Sequence, residues 1–526
     1  MSYVAPLSAA EHGADAAALN ATAPGSVRPA VRATPSVSEI LRSSALVGGA
    51  SALAAMIGLL RVKAIALMLG PAGVGLLGAF TAIAELSRSL AGMGINSSGV
   101  RQIADSAGSG DAQRLARTVA VLRRTALVLG VLGAVLLALS ARHVATLTFG
   151  DDHHWGAVAL LSLAIFFRLV GDGQGAALQG LRRIGDIARL GVLGTLLGTL
   201  ASIALIYRLR EDGVAASVVV MAAASCLFSW WYSRKVPVEA TIVDCRTLRP
   251  EAVALLRLGL AFMVSGLLTV GAAYLVRLIL IRAGGLEAAG LYQAAWAVGG
   301  VYVTFVLQAM GTDFYPRLVA AANDNAESNR LVNEQMQVSL LLAGAGVIAT
   351  LTFAPWVVAI LYSEAFQAAS DTLRWVCVGM ALRVITWPLG YILVSKGRAS
   401  LFIGADLVWT LANVLCTWWC VGRFGHVGAG IAFFTSYVLH VMVVYPITRR
   451  LSGFRWSRQV AQTAAVFALM VAAVHSGFLL LPPAPALALG VAVFVSCLAW
   501  TVPQLRELAR SNGLPKKIVK VFGTRR

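Results

Sequence analysis

The chain has 526 residues, of which 58% are hydrophobic and 13% charged, and its mean hydropathy is +0.77. A soluble globular domain carries about 45–50% apolar and about 25% charged residues, so this composition excludes ordinary soluble chemistry. The net charge of +19 would suggest nucleic acid in a soluble chain, but no basic block interleaved with aromatics is present, and basic loops of a membrane protein explain it better.

Residues 1–38 are rich in Ala, Ser and Pro and lack the apolar run of a cleavable signal peptide; they read as a disordered cytoplasmic tail. Beyond them, apolar runs long enough to cross a core of about 30 Å recur along the chain. They predict an all-α polytopic membrane protein of about fourteen spans. These are placed at about 44–69, 75–95, 122–141, 155–176, 190–207, 213–232, 258–281, 288–310, 337–361, 373–394, 400–421, 428–447, 461–481 and 485–503. The fourth is interrupted by Arg168 and Asp172. The loop near 142–154 contains Asp151, Asp152, His153 and His154, which read as a solvated loop in preference to a metal site. Cys226, Cys245, Cys377, Cys416, Cys420 and Cys497 form no CxxC and read as buried small hydrophobes. No metal or other cofactor is expected.

Basic residues give the orientation. With both termini cytoplasmic, 31 of the 43 Lys and Arg fall in cytoplasmic segments and about six in the opposite loops (Arg142, Arg208, Arg210, Arg282, Arg374 and Arg423). The rest lie inside spans. This is a strong positive-inside signal, and its strict alternation supports an even number of spans.

The chain also repeats itself. Arg168–Arg183 reads RLVGDGQGAALQGLRR and Arg383–Arg398 reads RVITWPLGYILVSKGR. An offset of 215 pairs Arg168 with Arg383, Gly175 with Gly390 and Arg183 with Arg398; it also pairs Gly75 with Gly290 and Gly213 with Gly428. An offset of 216 pairs Arg61 with Arg277 and Arg101 with Arg317. Residues 39–235 and 250–450 are therefore expected to be two parallel-repeat six-helix bundles around a central cavity, the plan of an alternating-access transporter. Residues 460–504 add two helices, and 505–526 form a basic cytoplasmic tail.

Six basic residues, Arg61, Lys63, Arg88, Arg168, Arg277 and Arg383, fall inside spans. A cation at a helix centre costs roughly 2.5–3.5 kcal/mol on insertion scales, so such groups face a bundle interior or water. Arg88 has Glu85 three residues before it, and Arg168 has Asp172 four residues after it; either pair can be an ion-paired strut. Arg61, Arg277 and Arg383 have no such acid on their own helices. The interior is therefore net positive and suits an anionic cargo, phosphate above all, because a guanidinium binds two oxygens at once. Glu85, Asp172 and Asp406 are the candidates for ion coupling, Asp406 first because its helix holds no adjacent base. Tyr292, Trp296, Tyr302, Trp387 and Tyr391 are candidates for stacking on sugar rings, with interfacial packing as the alternative.

At these residues the sequence resembles Wzx-type flippases, the polysaccharide-transporter branch of the multidrug/oligosaccharidyl-lipid/polysaccharide superfamily. The resemblance rests on GPAGVGLLGAF at Gly70–Phe80, GLYQAAWAV at Gly290–Val298, FYPRL at Phe314–Leu318 and SKGR at Ser395–Arg398. It spans roughly residues 40–450. The resemblance implies a multi-pass protein of the bacterial inner membrane that is a transporter and no enzyme. Its implied cargo is an undecaprenyl-pyrophosphate-linked oligosaccharide, moved to the periplasmic leaflet for exopolysaccharide, lipopolysaccharide or O-antigen-type synthesis. A polymerase and chain-length machinery of the same pathway are the implied partners, and nucleic acid is not. The family's cationic cavity would map onto Arg61, Arg277, Arg168 and Arg383. Many Wzx proteins end after about twelve spans. The extra pair resembles the lipid II flippase branch, whose arginine- and acid-rich opening motif this chain lacks. Lipid II flipping is therefore the alternative. A multidrug antiporter, which would need cavity acids, comes next. A polymerase or ligase would need a large outer loop.

Overall fold

A computed structural model describes residues 37–236, 245–309 and 314–511. The expected N-terminal tail lies outside these residues except for its last two, as does most of the C-terminal tail. The described chain is helical. The long elements are α1 (Val37–Gly92), α3 (Ala112–Phe149), α4 (Trp155–Gly180), α5 (Ile184–Leu209), α6 (Gly213–Ser233), α7 (Cys245–Ala309) and α9 (Asn325–Leu361). They continue with α10 (Ala369–Ser395), α11 (Ala399–Phe424), α12 (Val427–Ser452), α13 (Arg458–Leu480) and α14 (Pro483–Ser511). Two short helices, α2 (Ile95–Gly108) and α8 (Tyr315–Ala320), complete the order.

Among the described residues, eleven helical stretches are long and apolar enough to cross a membrane. Gly48–Gly92 and Gly266–Gly300 each contain a break, and Ile184–Ser233 comprises both α5 and α6. Counted at those divisions, the segments coincide with the fourteen expected spans. Apolar side chains point outward along them: Leu139 is 78% exposed and Leu480 82%, as a lipid-facing surface requires. The interrupted fourth span is one unbroken helix, α4. The outer loop near 142–154 is shorter than expected, because α3 continues to Phe149.

The breaks follow the repeat. Gly70 (φ 65°, ψ −162°) bends α1 and Gly285 (φ 71°, ψ −172°) bends α7; they lie at the 215 offset, in a region open essentially to glycine alone. Pro71 then starts the second arm of α1, where its missing N–H costs nothing. The same offset relates Arg210 (φ 53°) to Gly425 (φ 58°) and Arg182 (φ 55°) to Gly397 (φ 69°). It also relates the turn bonds Arg183 N–H to Leu178 O and Arg398 N–H to Leu393 O, both 2.9 Å.

The chain divides into two compact units. Of the described residues, those up to Arg61, 83–147 and 151–267 form one; those at 62–82, 148–150 and from Leu268 onward form the other. In the first, α6 packs on α4 and α5, and α2 lies against α4. The second holds a local self-complementary contact. A Cβ on Gly75 would strike the Leu286 carbonyl, and one on Gly290 would strike the Pro71 carbonyl. Each would also lie 2.9 Å from the other glycine's nitrogen. The repeat-related glycines thus exist to let two backbones touch. Helices α13 and α14 pack on α9. There Gly344 makes room for the Phe467 ring, and Gln337 Nε2 donates to Thr463 Oγ1 at 2.9 Å.

Candidate functional site

In the first unit, Glu85 and Arg88 lie on the second arm of α1, and Arg168 and Asp172 on α4. Arg88 donates to Glu85 Oε1 through Nε, at 3.1 Å, and through Nη2. Its Nη1 donates to Asp172 Oδ2 at 2.6 Å. Arg168 Nη1 donates to Glu85 Oε2 at 2.6 Å. The pair expected along α1 is present. Arg168, however, crosses to α1 for its acid, and Asp172 takes Arg88. Two carboxylates cancel two guanidiniums, with side chains 25–34% exposed. Such closure is what makes intramembrane charge tolerable.

Arg61, on the first arm of α1, stands outside that closure. Its Nε is buried without a hydrogen-bond partner, and its charged neighbour is another cation, Arg168. Lys63 belongs to the second unit. Its ammonium donates to the Ile360 carbonyl in the last turn of α9, where the helix dipole favours a cation.

Also in the second unit, Arg277 of α7 bonds only neutral acceptors among the described residues. Nε and Nη2 donate to Gln293 Oε1 at 3.2 and 2.7 Å, and Nη1 to Ala273 O at 2.8 Å. Gln293 lies at the 215 offset from Gly78, so Arg61 has no counterpart glutamine. Arg383 of α10 lies over the Trp387 ring at 5.4 Å, and its Nε is buried with no partner. Asp406 of α11 faces Arg383 without forming an ion pair, and Tyr437 of α12 neighbours both.

Aromatic rings adjoin these groups. Tyr292 stacks on Trp296 at 6.0 Å, Trp296 meets Phe433 at 4.9 Å, and Phe433 meets Tyr437 at 5.0 Å. Tyr437 then meets Trp409 at 5.5 Å and His440 at 5.9 Å. The indole nitrogen of Trp409 and Nδ1 of His440 are buried without partners. Trp387 and Tyr391 form a second group with Phe314 and Tyr315. The side chain of Tyr302 lies outside the described residues. Sequence reading did not single out Gln293, Tyr437, His440 or Trp409. The available signals were a glutamine within GLYQAAWAV and a histidine in the apolar run of α12.

The loop acids have local tasks: Asp152 accepts from Arg142 Nε at 3.0 Å, and Asp151 from the His153 N–H at 3.0 Å. Among the described residues, no cluster of three or more His, Cys, Asp or Glu is arranged to hold a metal. Among the described residues, the intramembrane arginines without an acidic partner are therefore Arg61 in one unit and Arg277 and Arg383 in the other, the last two beside Tyr292 and Trp387. Planar donor forks of this kind bind phosphate oxygens, and aromatic faces bind sugar rings.

The chain is similar to known proteins in both sequence and fold. The lipid III flippase of Escherichia coli (strain K12) is 24% identical over 397 residues, which cover 73% of this chain and 92% of that protein. Among solved structures, the lipid II flippase MurJ in an inward closed conformation matches with a TM-score of 0.67 at 12% identity, covering 88% of this chain and 99% of that one. An inward-facing multidrug resistance MATE family transporter of the MOP superfamily matches with a TM-score of 0.62 at 19% identity, covering 76% and 95%. These structures share the fold. Residues 64–371 match the family described as polysaccharide biosynthesis protein. That match takes in three of the four motifs behind the flippase resemblance and most of the Gly70–Phe80 to Ser395–Arg398 stretch, and it bears the resemblance out: the chain belongs to the polysaccharide biosynthesis protein family.

Proposed function

We propose that this chain is a flippase for a polyprenyl-pyrophosphate-linked oligosaccharide, carrying it from the cytoplasmic to the periplasmic leaflet of the inner membrane for exopolysaccharide or O-antigen-type synthesis. One observation carries the reading: Arg61, Arg277 and Arg383 lie within membrane helices and none forms an ion pair among the described residues. Keeping an unpaired cation there is costly unless an anion visits it. The pyrophosphate is that anion. Tyr292, Trp296, Trp387 and Tyr391 offer ring faces to the sugars, and the polyprenyl tail stays in lipid. No bond is made or broken; the repeat-related halves alternate access, and Asp406, beside Arg383, is the group best placed to couple an ion. Arg88 and Arg168, with Glu85 and Asp172, hold α1 to α4, and Lys63 caps α9.

The lipid III flippase relative supports a lipid-linked saccharide cargo. Lipid II is the second reading, favoured by the breadth of the MurJ match. A cationic-drug antiporter is disfavoured because each candidate acid faces an arginine: Glu85 and Asp172 are bonded to theirs, and Asp406 lies beside Arg383. Complementation tests the proposal. The chain should restore glycan export in a strain lacking its lipid III flippase or an O-antigen flippase. Rescue confined to a strain lacking the lipid II flippase would replace the first reading with the second.

A further inference from the structure

An apolar cavity of about 620 Å³ opens between α4, α5 and α6 of the first unit. Phe167, Gln174, Leu197, Ala201, Leu227 and Trp230 are among its walls. The oxygen of the one amide there is engaged: Gln174 Oε1 accepts from Ser229 Oγ at 2.7 Å. The slot therefore offers a guest an almost wholly apolar surface. On α6 it runs from Val220 to Trp230. Ten residues at 1.5 Å each make roughly 15 Å, half of a hydrocarbon core of about 30 Å, so the slot is one leaflet deep.

Its α6 end is cationic. Trp230 lines the slot and carries the Arg234 guanidinium at 4.5 Å from its ring centroid. Lys235 Nζ lies over Trp231 and Tyr232, at 5.5 and 4.9 Å. Both are exposed, and neither has an acidic partner among the described residues. A helix C-terminus ordinarily repels an anion. Here two other arginines cancel that effect: Arg123 Nη2 donates to Ser233 O at 3.1 Å, and Arg183 Nη1 to Lys235 O at 3.0 Å. The end of α6 is thus both capped and positively charged.

We propose that this slot is a binding site for an anionic phospholipid of the surrounding leaflet. One acyl chain lies along α6 between α4 and α5, and the phosphate rests on Arg234 and Lys235. Basic pockets at the ends of membrane helices bind anionic headgroups by this chemistry. None of the arginines assigned to cargo lines the slot, and the proposal stands whether or not the flippase reading does.

The test uses the full chain, purified in detergent and stripped of lipid, with retained lipid measured by native mass spectrometry. The probes are phosphatidylglycerol, phosphatidylcholine with the same acyl chains, and undecaprenyl phosphate. Phosphatidylglycerol should be retained over phosphatidylcholine by roughly tenfold or more, the worth of two interfacial cations. Arg234→Gln with Lys235→Gln should bring that ratio near one while leaving the fold intact. Ala201→Trp, which fills the slot, should abolish retention of both lipids. Equal retention by the native chain, an unchanged ratio in the double variant, or displacement of phosphatidylglycerol by equimolar undecaprenyl phosphate would each overturn the proposal.

Discussion

At the scale of single residues, what separates the intramembrane arginines is the number of partners each has. Arg277 donates to Gln293 and Ala273 O, acceptors that orient a guanidinium without cancelling its charge. Arg277→Ala should abolish glycan export while the protein stays in the membrane at its normal level; export at the native rate would remove Arg277 from the site. Gln293→Leu should act differently. It strips two hydrogen bonds and leaves buried donors unmet, which costs about 1–3 kcal/mol. A lowered unfolding midpoint with partial export is the expected result. Arg88 is a third case. Glu85→Gln weakens the carboxylate that binds both Arg88 and Arg168. With these side chains a quarter to a third exposed, the expected loss is about 2 kcal/mol in unfolding experiments. The Glu85–Arg88 pair was legible in the sequence because i, i+3 residues share a helix face. The crossed pairs were not. Arg168 and Glu85 lie 83 residues apart, and only the packing of α4 against α1 joins them.

At the scale of elements, hydropathy located the spans well and their connections poorly. A window of apolar residues reports length, and it cannot distinguish a loop from a helix that turns at one residue. Spans one and two are the two arms of α1, and spans seven and eight the two arms of α7, each pair divided by a single glycine. The 215-residue offset was legible because it recurs where the backbone has needs that few residues meet. A left-handed residue recurs at Arg182 and Gly397, and at Arg210 and Gly425, even where the side chain differs. The touching of Gly75 and Gly290 was not legible, since an offset reports equivalence and says nothing of contact. Gly290→Leu should therefore be severe: its side chain would have to occupy the space of the Pro71 carbonyl. A fall of more than about 3 kcal/mol in stability, or loss of folded protein from the membrane, is expected. A native-like melting curve for this variant would show that the close approach is dispensable.

At the scale of the whole molecule, the count of basic residues makes a claim that the internal bonding lets us examine. Segments expected on one side of the membrane should be able to meet, and within each unit they do. In the first, Arg123 reaches Ser233 O and Arg183 reaches Lys235 O, joining three basic segments. In the second, Lys396 Nζ reaches Ala322 O and Asn325 Oδ1 at 2.7 and 2.6 Å. Asn329 and Asn333 donate to Ser452 O and Arg455 O at 2.8 and 3.1 Å. The other end shows the same order: His426 Nε2 lies 3.2 Å from Ala368 O, joining two loops expected outside. These contacts make the alternation of sides physically consistent. The basic excess predicts which side faces the cytoplasm, because Lys and Arg resist translocation. Alkaline phosphatase folds only outside the cytoplasm, so fusions decide the matter. Joined after Gly150 it should be active; joined after Ser109, after Asn323 or at the C-terminus it should be inactive, where a fluorescent cytoplasmic reporter should light instead. Activity in the reverse pattern would invert the molecule in the bilayer, and with it the direction in which the cargo is carried. A mixed pattern would mean that a span has been miscounted, and the fusion at which alternation fails would identify which one.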